Sequence, residues 1–459
     1  MKRQQTAILF ILLIFGALFT AVLAQEPPPP TYLPLVMRPL PTPTFTPTPT
    51  PTPTPTATPP AQMVEMRGLW VTRFDWTDYV NPASPAKIDE IVNNAAYAGF
   101  NAIFFQVRGA GDAYYDSPIE PWAYRVSAQG LGVPPNPYWD PLAYMTERAH
   151  AQNIQVHAYL NIYPVWDNCT TPPSASVTPQ HVYWRLVNQH GTTSGKPNGL
   201  QWTTSGLVHC SSYWRATPAS AFFDNHILSV AADLVARYDI DGIHLDHIRY
   251  GHRTTSCDPV SAGAAGVPCF SAPPAGYGSY EDWQRAQVNG TVNKFYNLLY
   301  GDGGIADKPD FWLTAAVWPV YVDYWGWGAS QGYYDYYQDS KAWVGGGYID
   351  AISPMIYGGT TWDGQPHGQS RWYALVQNFQ GDANGRYIVP GINGDYADFN
   401  EIVARIQMAR QLGTAGHAIF SYGALNTRGF FDDLRNGPYA QTAVPPSLPW
   451  HPYTVIRNP

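Results

Sequence analysis

The sequence contains little charge and no long basic run. Asp, Glu, Lys and Arg make up only 13% of the 459 residues, and 26 Lys plus Arg stand against 34 Asp plus Glu, for a net charge of −8. Proteins that bind nucleic acid need clustered basic side chains to neutralise phosphates, so nucleic acid is not an expected partner. The hydrophobic content of 45% is enough for a large packed core and excludes a chain that is disordered throughout.

Cysteine is also scarce. The chain has four, Cys169, Cys210, Cys257 and Cys269, and none of them lies in a C-x-x-C pair. That spacing argues against a zinc site. In an exported protein the four suggest two disulfides, and proximity in the chain favours Cys169 with Cys210 and Cys257 with Cys269.

The N-terminal sixty residues differ from the rest in composition. Lys2 and Arg3 precede an apolar run over 7–23, which predicts a signal peptide at 1–24; an uncleaved membrane anchor is the alternative. Pro and Thr dominate the next stretch and alternate over 41–55, which predicts an extended linker at 25–62. We therefore expect a secreted or otherwise extracytoplasmic protein whose domain at 63–459 is held close to a cell envelope.

Beyond residue 62 the sequence alternates β-rich runs with stretches of helical periodicity. The eight runs are 67–73, 102–107, 155–163, 242–250, 311–318, 351–357, 388–393 and 416–423. The helical stretches include 85–98, 141–152, 221–238, 280–299 and 400–412. Eight such units predict an α/β fold, a single (β/α)8 TIM barrel. A doubly wound open sheet is the alternative, but no Gly-rich phosphate-binding turn follows the first run.

Two intervals between predicted strands are much longer than the others. Residues 164–219 and 251–279 are rich in Gly, Pro, Ser and Thr and carry all four cysteines. They are interpreted as long loops after the third and fourth strands, pinned by disulfides. In a barrel, loops in this position build the active site.

Three carboxylates are the predicted catalytic residues. Asp246 ends an apolar strand, where a charge is costly unless it has partners or a purpose. Glu120 alone among the seven glutamates falls on a loop after a strand, and Asp112 precedes it on the same loop. Glycoside hydrolysis needs two carboxyl groups across a cleft, one to protonate the leaving oxygen and one to attack or to activate water. A structural role is the alternative for Asp246, paired to Arg249 or His244, and for Glu120, paired to Arg108.

Aromatic residues make up 15% of the chain and cluster after the predicted strands, where they could stack on sugar rings. They include Trp122, Trp166, Trp318, Tyr321, Trp325, Trp327, Tyr357 and Trp362. A metal site formed by His244, Asp246, His247 and His252 is the weaker alternative, because strand alternation turns His247 away from the other two strand residues. We expect neither a metal nor a cofactor.

Several segments resemble the glycosyl hydrolase-like 10 family of secreted bacterial proteins. The resemblance runs in order from about Met66 to Trp450. It is carried by residues 66–71 (MRGLWV), 99–108 (GFNAIFFQVR), 111–117 (GDAYYDS), 120–122 (EPW), 140–142 (DPL), 149–150 (AH), 157–161 (HAYLN), 238–250 (YDIDGIHLDHIRY), 439–440 (YA) and 443–446 (AVPP).

The resemblance implies a TIM-barrel glycosidase with relatives linked to cleavage of peptidoglycan glycan strands. It places Asp246 where related amylase-like barrels carry a catalytic carboxylate, and His247 where many members carry a second aspartate. No glutamate stands after the fifth strand, where amylase-like barrels have a proton donor, so Glu120 is the predicted acid. The hypothesis of a chitinase-like enzyme is weak, because the general-acid glutamate of that family would fall on Ile248.

The sequence therefore predicts a secreted glycosidase that acts on a cell-envelope or extracellular polysaccharide. Asp246 is the expected nucleophile or base, Glu120 the general acid and Asp112 the reserve acid. The residues expected to bind substrate are Trp70, Arg108, Trp122, His157, Asn161, His244, Arg249 and Tyr357. The rival hypothesis is a non-catalytic glycan-binding envelope protein on the same barrel.

Overall fold

The computed structural model describes residues 62–306, 308–358 and 368–451. The strands are β1 (Met63–Val64), β2 (Met66–Val71), β3 (Ala102–Arg108), β4 (Gln155–Asn161), β5 (Pro164–Trp166), β6 (Thr192–Thr193), β7 (Lys196–Pro197), β8 (Cys210–Ser211), β9 (Tyr213–Arg215), β10 (Gly242–Asp246), β11 (Trp312–Val317), β12 (Ala351–Pro354), β13 (Tyr387–Ile388), β14 (Gly391–Asn393), β15 (Gly416–Phe420) and β16 (Ala443–Val444). The helices are α1 (Arg73–Trp76), α2 (Pro85–Ala98), α3 (Tyr124–Ser127), α4 (Pro141–His150), α5 (Val182–His190), α6 (Ala221–Arg237), α7 (Pro259–Ala265), α8 (Tyr280–Tyr300), α9 (Gly332–Asp335), α10 (Ser340–Gly345), α11 (Gln369–Gly381), α12 (Asn400–Gln411), α13 (Tyr422–Arg428) and α14 (Phe431–Asn436).

The predicted signal peptide at 1–24 lies outside the described residues, as does the linker at 25–62 except for its last residue. Within the described ranges, no helix is both long enough and apolar enough to span a membrane.

A curled parallel sheet of nine segments forms the centre of the fold. Its order is β13-β12-β11-β10-β4-β3-β2-β15-β14, and every neighbouring pair is parallel. All eight predicted runs contribute strands. The two outermost segments, β13 and β14, lie at the start and the end of the seventh run and are separated only by Val389 and Pro390. The amide of Val389 donates to Ile352 on one side and the carbonyl of Pro390 accepts from Ala418 on the other, so this run contacts both edges of the curled sheet.

Alternate strand residues face two different layers, as the period of two requires. Trp70, Phe104, Tyr159 and Trp312 belong to a cluster inside the curl of the sheet. Their chain neighbours, such as Leu69, pack outward against the helices. The helices follow local signals: α2 starts with Pro85 and is capped after Ala98 by Gly99, whose φ of +95° is the left-handed value that glycine adopts without strain.

The two long intervals are less loop-like than the sequence predicts. They hold an antiparallel sheet of order β5-β9-β8 together with α5 and α7. The predicted disulfide pairing is confirmed, with Cys169 bonded to Cys210 and Cys257 bonded to Cys269. Because Cys210 begins β8, the first disulfide ties the hairpin of β8 and β9 to the segment that follows β5.

Candidate active site

Asp246 is the last residue of β10, at the carboxyl edge of the parallel sheet. Gly242, His244 and Asp246 alternate inward along this strand, and Asp246 stands directly opposite Asn161 of β4 in the register. In parallel α/β sheets ligands bind at this edge.

Three donors hold the Asp246 carboxylate. The hydroxyl of Tyr159 donates to Oδ2 at 2.7 Å, the backbone amide of His247 donates to Oδ1 at 2.5 Å, and Nη1 of Arg249 donates to Oδ1 at 3.3 Å. The side chain is only 8% exposed. A carboxylate with three donors has one orientation, which is what a reacting group requires.

The environment keeps Asp246 ionised. Burial by itself raises the pKa, but the nearby His247 and Arg249 and the hydrogen bonds from Tyr159 and the His247 amide outweigh it and lower the pKa of Asp246 well below its usual value. Burial lowers the pKa of the His247 ring to about 3, so that ring is neutral near pH 7. At neutral pH the charge of Arg249 and the hydrogen bonds are therefore the groups that stabilise the carboxylate.

His247 does not follow the strand alternation, and the expectation that it points away from Asp246 is wrong. Its φ of +49° is left-handed, which ends β10 and turns the side chain. Nδ1 of His247 lies 3.5 Å from Nη2 of Arg249, which also binds Asp246. The His247 ring meets the ring of Tyr213 edge to face at 5.3 Å between centroids.

Asp112 lies on the loop after β3 and is partly exposed. Its Oδ1 accepts a hydrogen bond from the amide of Ala110 at 2.6 Å. Burial raises the pKa of Asp112 to about 6, although the Ala110 bond and the charge of Arg73 work against that rise. A Cβ on Gly109 would lie 2.8 Å from Oδ1 of Asp112 and 3.3 Å from Cδ of Arg73, so glycine lets both side chains approach this loop.

Glu120 occupies a buried ion pair, which contradicts the environment expected of a general acid. Nε and Nη2 of Arg108 donate to its two oxygens at 2.9 and 2.8 Å, and Nε2 of His226 lies 2.8 Å from Oε1. Burial raises the pKa of Glu120, but Arg108 and His226 reverse this and lower the pKa far below its usual value. A fully buried carboxylate that stays ionised has no proton to donate. Arg108 itself also donates to the carbonyl groups of Asn161, Ile162 and Pro164, so it fixes the chain after β4 rather than a substrate.

Three residues predicted to bind substrate lie in the protein interior. His244 and His157 are 0% exposed and Trp70 is 2% exposed. Nε1 of Trp70 donates to Nε2 of His244 at 3.1 Å, so the proton of the neutral imidazole is on Nδ1, which faces Oγ1 of Thr314 at 2.8 Å. The Phe104 ring stacks on His244 with 4.5 Å between centroids. These side chains form the packed floor under Asp246 and do not line an open cleft.

Trp122 is also a packing residue. It is 8% exposed, belongs to the hydrophobic cluster around the helices and meets Tyr138 edge to face at 6.5 Å. Trp362 lies outside the described residues.

Three of the predicted binding residues lie around Asp246: Asn161, Arg249 and Tyr357. Oδ1 of Asn161 is buried and has no hydrogen-bond partner among the described residues. Tyr357 is partly exposed, stacks on Phe420 at 4.8 Å, and has a pKa raised well above its usual value by burial and by Asp246.

Sequence reasoning missed Tyr159, Arg73, Tyr213 and Arg215. Alternation along β4 places Tyr159 on the same face as Asn161, so the strand pattern alone could have identified Tyr159 as a site residue. Arg73, Tyr213 and Arg215 come from α1 and β9, and no local pattern connects those segments to β10.

No three His, Cys, Asp or Glu side chains in the described part of the chain form a group that could hold a metal ion.

Comparison with known proteins identifies relatives along most of the chain. The family model described as glycosyl hydrolase-like 10 matches residues 65–372. The chain is similar to glycosyl hydrolase YngK of Bacillus subtilis (strain 168), with 25% identity over 423 residues covering 86% of this chain and 76% of the relative. It is also similar to glycosyl hydrolase DigH of Escherichia coli (strain K12), with 26% identity over 328 residues covering 65% of this chain and 68% of the relative.

Solved structures share the fold. The glycoside hydrolase domain of PgaB (BpsB) from Bordetella bronchiseptica aligns with a TM-score of 0.52 and 12% identity, over 83% of this chain and 99% of that domain. The α-L-fucosidase isoenzyme 2 from Paenibacillus thiaminolyticus aligns with a TM-score of 0.50 and 14% identity, over 82% of this chain and 49% of the enzyme. At these identities the likeness concerns the fold alone. Since the family model matches more than half of its length, the chain belongs to the glycosyl hydrolase-like 10 family.

Proposed function

We propose that this protein is a secreted glycoside hydrolase that cleaves a cell-envelope or extracellular polysaccharide, with peptide-free peptidoglycan strands as the first substrate to test. Membership of a glycosyl hydrolase-like family and the resemblance to glycosidase folds support the reaction class. Family membership alone does not establish catalysis. The proposal of catalysis therefore depends on the carboxylates at the carboxyl edge of the sheet.

The observation that carries the proposal is the state of Asp246. It is ionised, oriented by Tyr159 and Arg249, and located at the carboxyl end of β10. An ionised, fixed carboxylate is suited to attack an anomeric carbon or to take a proton from water. Asp246 is therefore the proposed nucleophile or base.

Asp112 replaces Glu120 as the proposed general acid. A pKa of about 6 leaves a large fraction of this carboxyl group protonated in mildly acidic solution. A general acid is most effective when its pKa lies near the working pH. Asp112 would protonate the leaving oxygen while Asp246 acts on the sugar ring, and the opposed pKa shifts of the two groups match that division of roles.

Asn161, Tyr357 and Arg249 are the proposed substrate contacts. Oδ1 of Asn161 is buried and has no hydrogen-bond partner among the described residues, and sugar hydroxyls can donate to such an acceptor. Trp70, Phe104 and His244 act beneath them by packing, which holds Tyr159 and hence Asp246 in place.

An extracytoplasmic location accompanies the proposed function. Two disulfides are typical of proteins outside the cytoplasm. We propose that the signal peptide at 1–24 directs export and that the Pro/Thr-rich linker at 25–62 keeps the domain near the envelope.

The test is an incubation of the full chain and its Asp246→Asn variant with peptide-free peptidoglycan strands, chitosan and an α-glucan, followed by mass spectrometry. The expected result is a set of glycan fragments from the parent on one substrate and none from the variant. Glu147→Asn is the matched control, because Glu147 is exposed on α4 and should leave cleavage unchanged.

The proposal fails if the parent cleaves none of the glycans, or if the Asp246→Asn variant cleaves as fast as the parent. Binding without cleavage would favour the non-catalytic glycan-binding protein.

A further inference from the structure

Three arginines converge beside Asp246, and we name them the arginine cluster: Arg73 of α1, Arg215 of β9 and Arg249 of the turn after β10. Nη2 of Arg73 donates to the hydroxyl of Tyr213 at 2.8 Å. The Tyr213 ring lies between two of them, with its centroid 5.9 Å from Cζ of Arg73 and 5.5 Å from Cζ of Arg215. The same ring contacts His247, whose Nδ1 lies 3.5 Å from Arg249.

The cluster is buried and short of negative charge. The three side chains are 5%, 6% and 8% exposed. Among the described residues, no carboxylate lies within ion-pair distance of Arg73 or Arg215, and Asp246 is the one that pairs with Arg249. Arg215 donates only to Ser211 and to the carbonyl of Tyr213, at 3.2 to 3.4 Å. Two other buried arginines do have carboxylate partners: Arg108 pairs with Glu120 and Arg405 pairs with Glu401.

A buried cation without a carboxylate partner is costly, and the charge of Arg249 repels that of Arg215. Burial and the neighbouring Arg249 lower the pKa of Arg215 to about 10, so the group stays protonated at neutral pH but is destabilised. Burial lowers the pKa of Arg73, but Tyr114, Tyr213 and Asp112 reverse this and raise it above its usual value. Asp112 forms no ion pair with Arg73, and with its own raised pKa it offsets only part of the positive charge. Asp246 is thus the one carboxylate among the described residues that forms an ion pair with any of the three arginines, in a protein whose net charge is −8.

We propose that this cluster binds a carboxylate group carried by the glycan, which makes the substrate class a carboxylated saccharide. The inference rests on the proposed function for its location, because the cluster borders Asp246, and it adds the chemistry of the bound sugar. Guanidinium groups match planar carboxylates with paired hydrogen bonds, and a buried position strengthens such bonds. The bound carboxylate would lie on a sugar next to the cleavage point, since Arg249 contacts both Asp246 and His247.

The test measures binding to the full chain carrying Asp246→Asn, so that turnover does not interfere. The probes are the peptide-free disaccharide of peptidoglycan, the same disaccharide with its carboxyl group reduced to an alcohol, and a sulfated chitin oligomer without carboxylates. Calorimetry is carried out at low and at high salt, on this background alone and with Arg215→Gln, Arg215→Lys or Arg73→Gln added. Arg253→Gln is the matched control, because Arg253 is a 68% exposed arginine paired to Asp335.

We expect the carboxylated disaccharide to bind more tightly than the reduced one and to weaken with salt. Arg215→Gln and Arg73→Gln should weaken it on the order of tenfold to a hundredfold, the size of a lost charge-assisted hydrogen bond. Arg215→Lys should retain part of the affinity, and Arg253→Gln should change nothing. The reduced disaccharide should bind every variant alike.

Equal affinity for the carboxylated and reduced disaccharides would overturn the inference, as would equal losses for both on arginine substitution. Arginine-dependent binding of the sulfated oligomer alone would also overturn it. If an arginine variant does not fold, the affinities of the Asp246→Asn protein alone decide: the carboxylated disaccharide should lose affinity at high salt and the reduced one should not. Cleavage of glycans with no preference for carboxylates would leave the glycosidase proposal standing, whereas arginine-dependent carboxylate binding without cleavage would leave the inference standing alone.

Discussion

The hydroxyl of Tyr159 donates a 2.7 Å hydrogen bond to Oδ2 of Asp246. The two side chains come from the neighbouring parallel strands β4 and β10 and face the inside of the curled sheet. The His244 ring packs edge to face against Tyr159, and Phe104 stacks on His244. The interior packing of the sheet thus orients the proposed catalytic carboxylate.

Tyr159→Phe should raise the pKa of Asp246, because the lost hydrogen bond stabilises its ionised form. Hydrogen bonds to charged groups contribute about 1.5–3 kcal/mol, so the acid limb of kcat/KM should move up by about one to two pH units. The pH–rate profile on the substrate identified above measures this. Tyr163→Phe is the control, since the Tyr163 hydroxyl is buried and donates to Thr291; an equal shift in that variant would contradict the role of Tyr159.

Asp112 should produce a basic limb in kcat/KM. Its pKa is raised to about 6, so the protonated, active form is present below that pH and activity falls as the pH rises through about 6. Asp112→Asn should remove this limb and lower kcat/KM about 10²–10⁴-fold. The loss of kcat/KM should be smaller for glycosides whose leaving group needs no proton.

Asp395→Asn is the control for Asp112, because Asp395 is exposed and paired with Arg428. If the basic limb persists in Asp112→Asn, another group is the acid.

Glu120→Gln should destabilise the fold without changing the pH profile of the folded enzyme. Removing one partner of a buried ion pair costs about 3–5 kcal/mol of unfolding free energy. The pKa of Glu120 is lowered in the folded protein, so its stabilisation is present above the pKa of the unfolded chain and is lost as the pH falls through the folded value. The difference in denaturant midpoint between parent and variant should therefore shrink in acid.

Glu147→Gln, at an exposed position on α4, should change the stability by less than about 0.5 kcal/mol. A Glu120→Gln protein of parental stability would show that the buried pair has little effect on the fold.

Replacing Cys169 and Cys210 with Ser should weaken binding of carboxylated sugars, because this disulfide holds the hairpin that carries Tyr213 and Arg215. The sequence separations of 41 and 12 residues also predict stability losses of about 4 kcal/mol for this disulfide and about 3 kcal/mol for the Cys257–Cys269 disulfide.

The double variant of Cys257 and Cys269 is the control for this effect. It should lose stability but keep the affinity for sugar, measured by calorimetry. Equal losses of affinity in the two double variants would show that general loosening, and not the hairpin, is responsible.

Some features of the site could be read from the sequence. Asp246 was recognisable because a charge at the end of an apolar run is costly, and the structure places it at the carboxyl edge of the sheet. The buried ion pair of Glu120 could not be read from the sequence, because one of its partners, His226 of α6, is 106 residues away in the chain. The register of β3 and β4 also shifts between Gln106 and Arg108, so simple alternation does not tell where the Arg108 side chain lies.

The sequence by itself determined the eight β-rich runs, the main helices and the pairing of the four cysteines, because periodicity, caps and chain proximity are local properties. Only the tertiary structure decided which carboxyl group is ionised and which can hold a proton. That distinction depends on burial and on charges brought together from α1, β4, β9 and β10. The same assembly produced the arginine cluster beside Asp246, which the net charge of −8 gives no reason to expect.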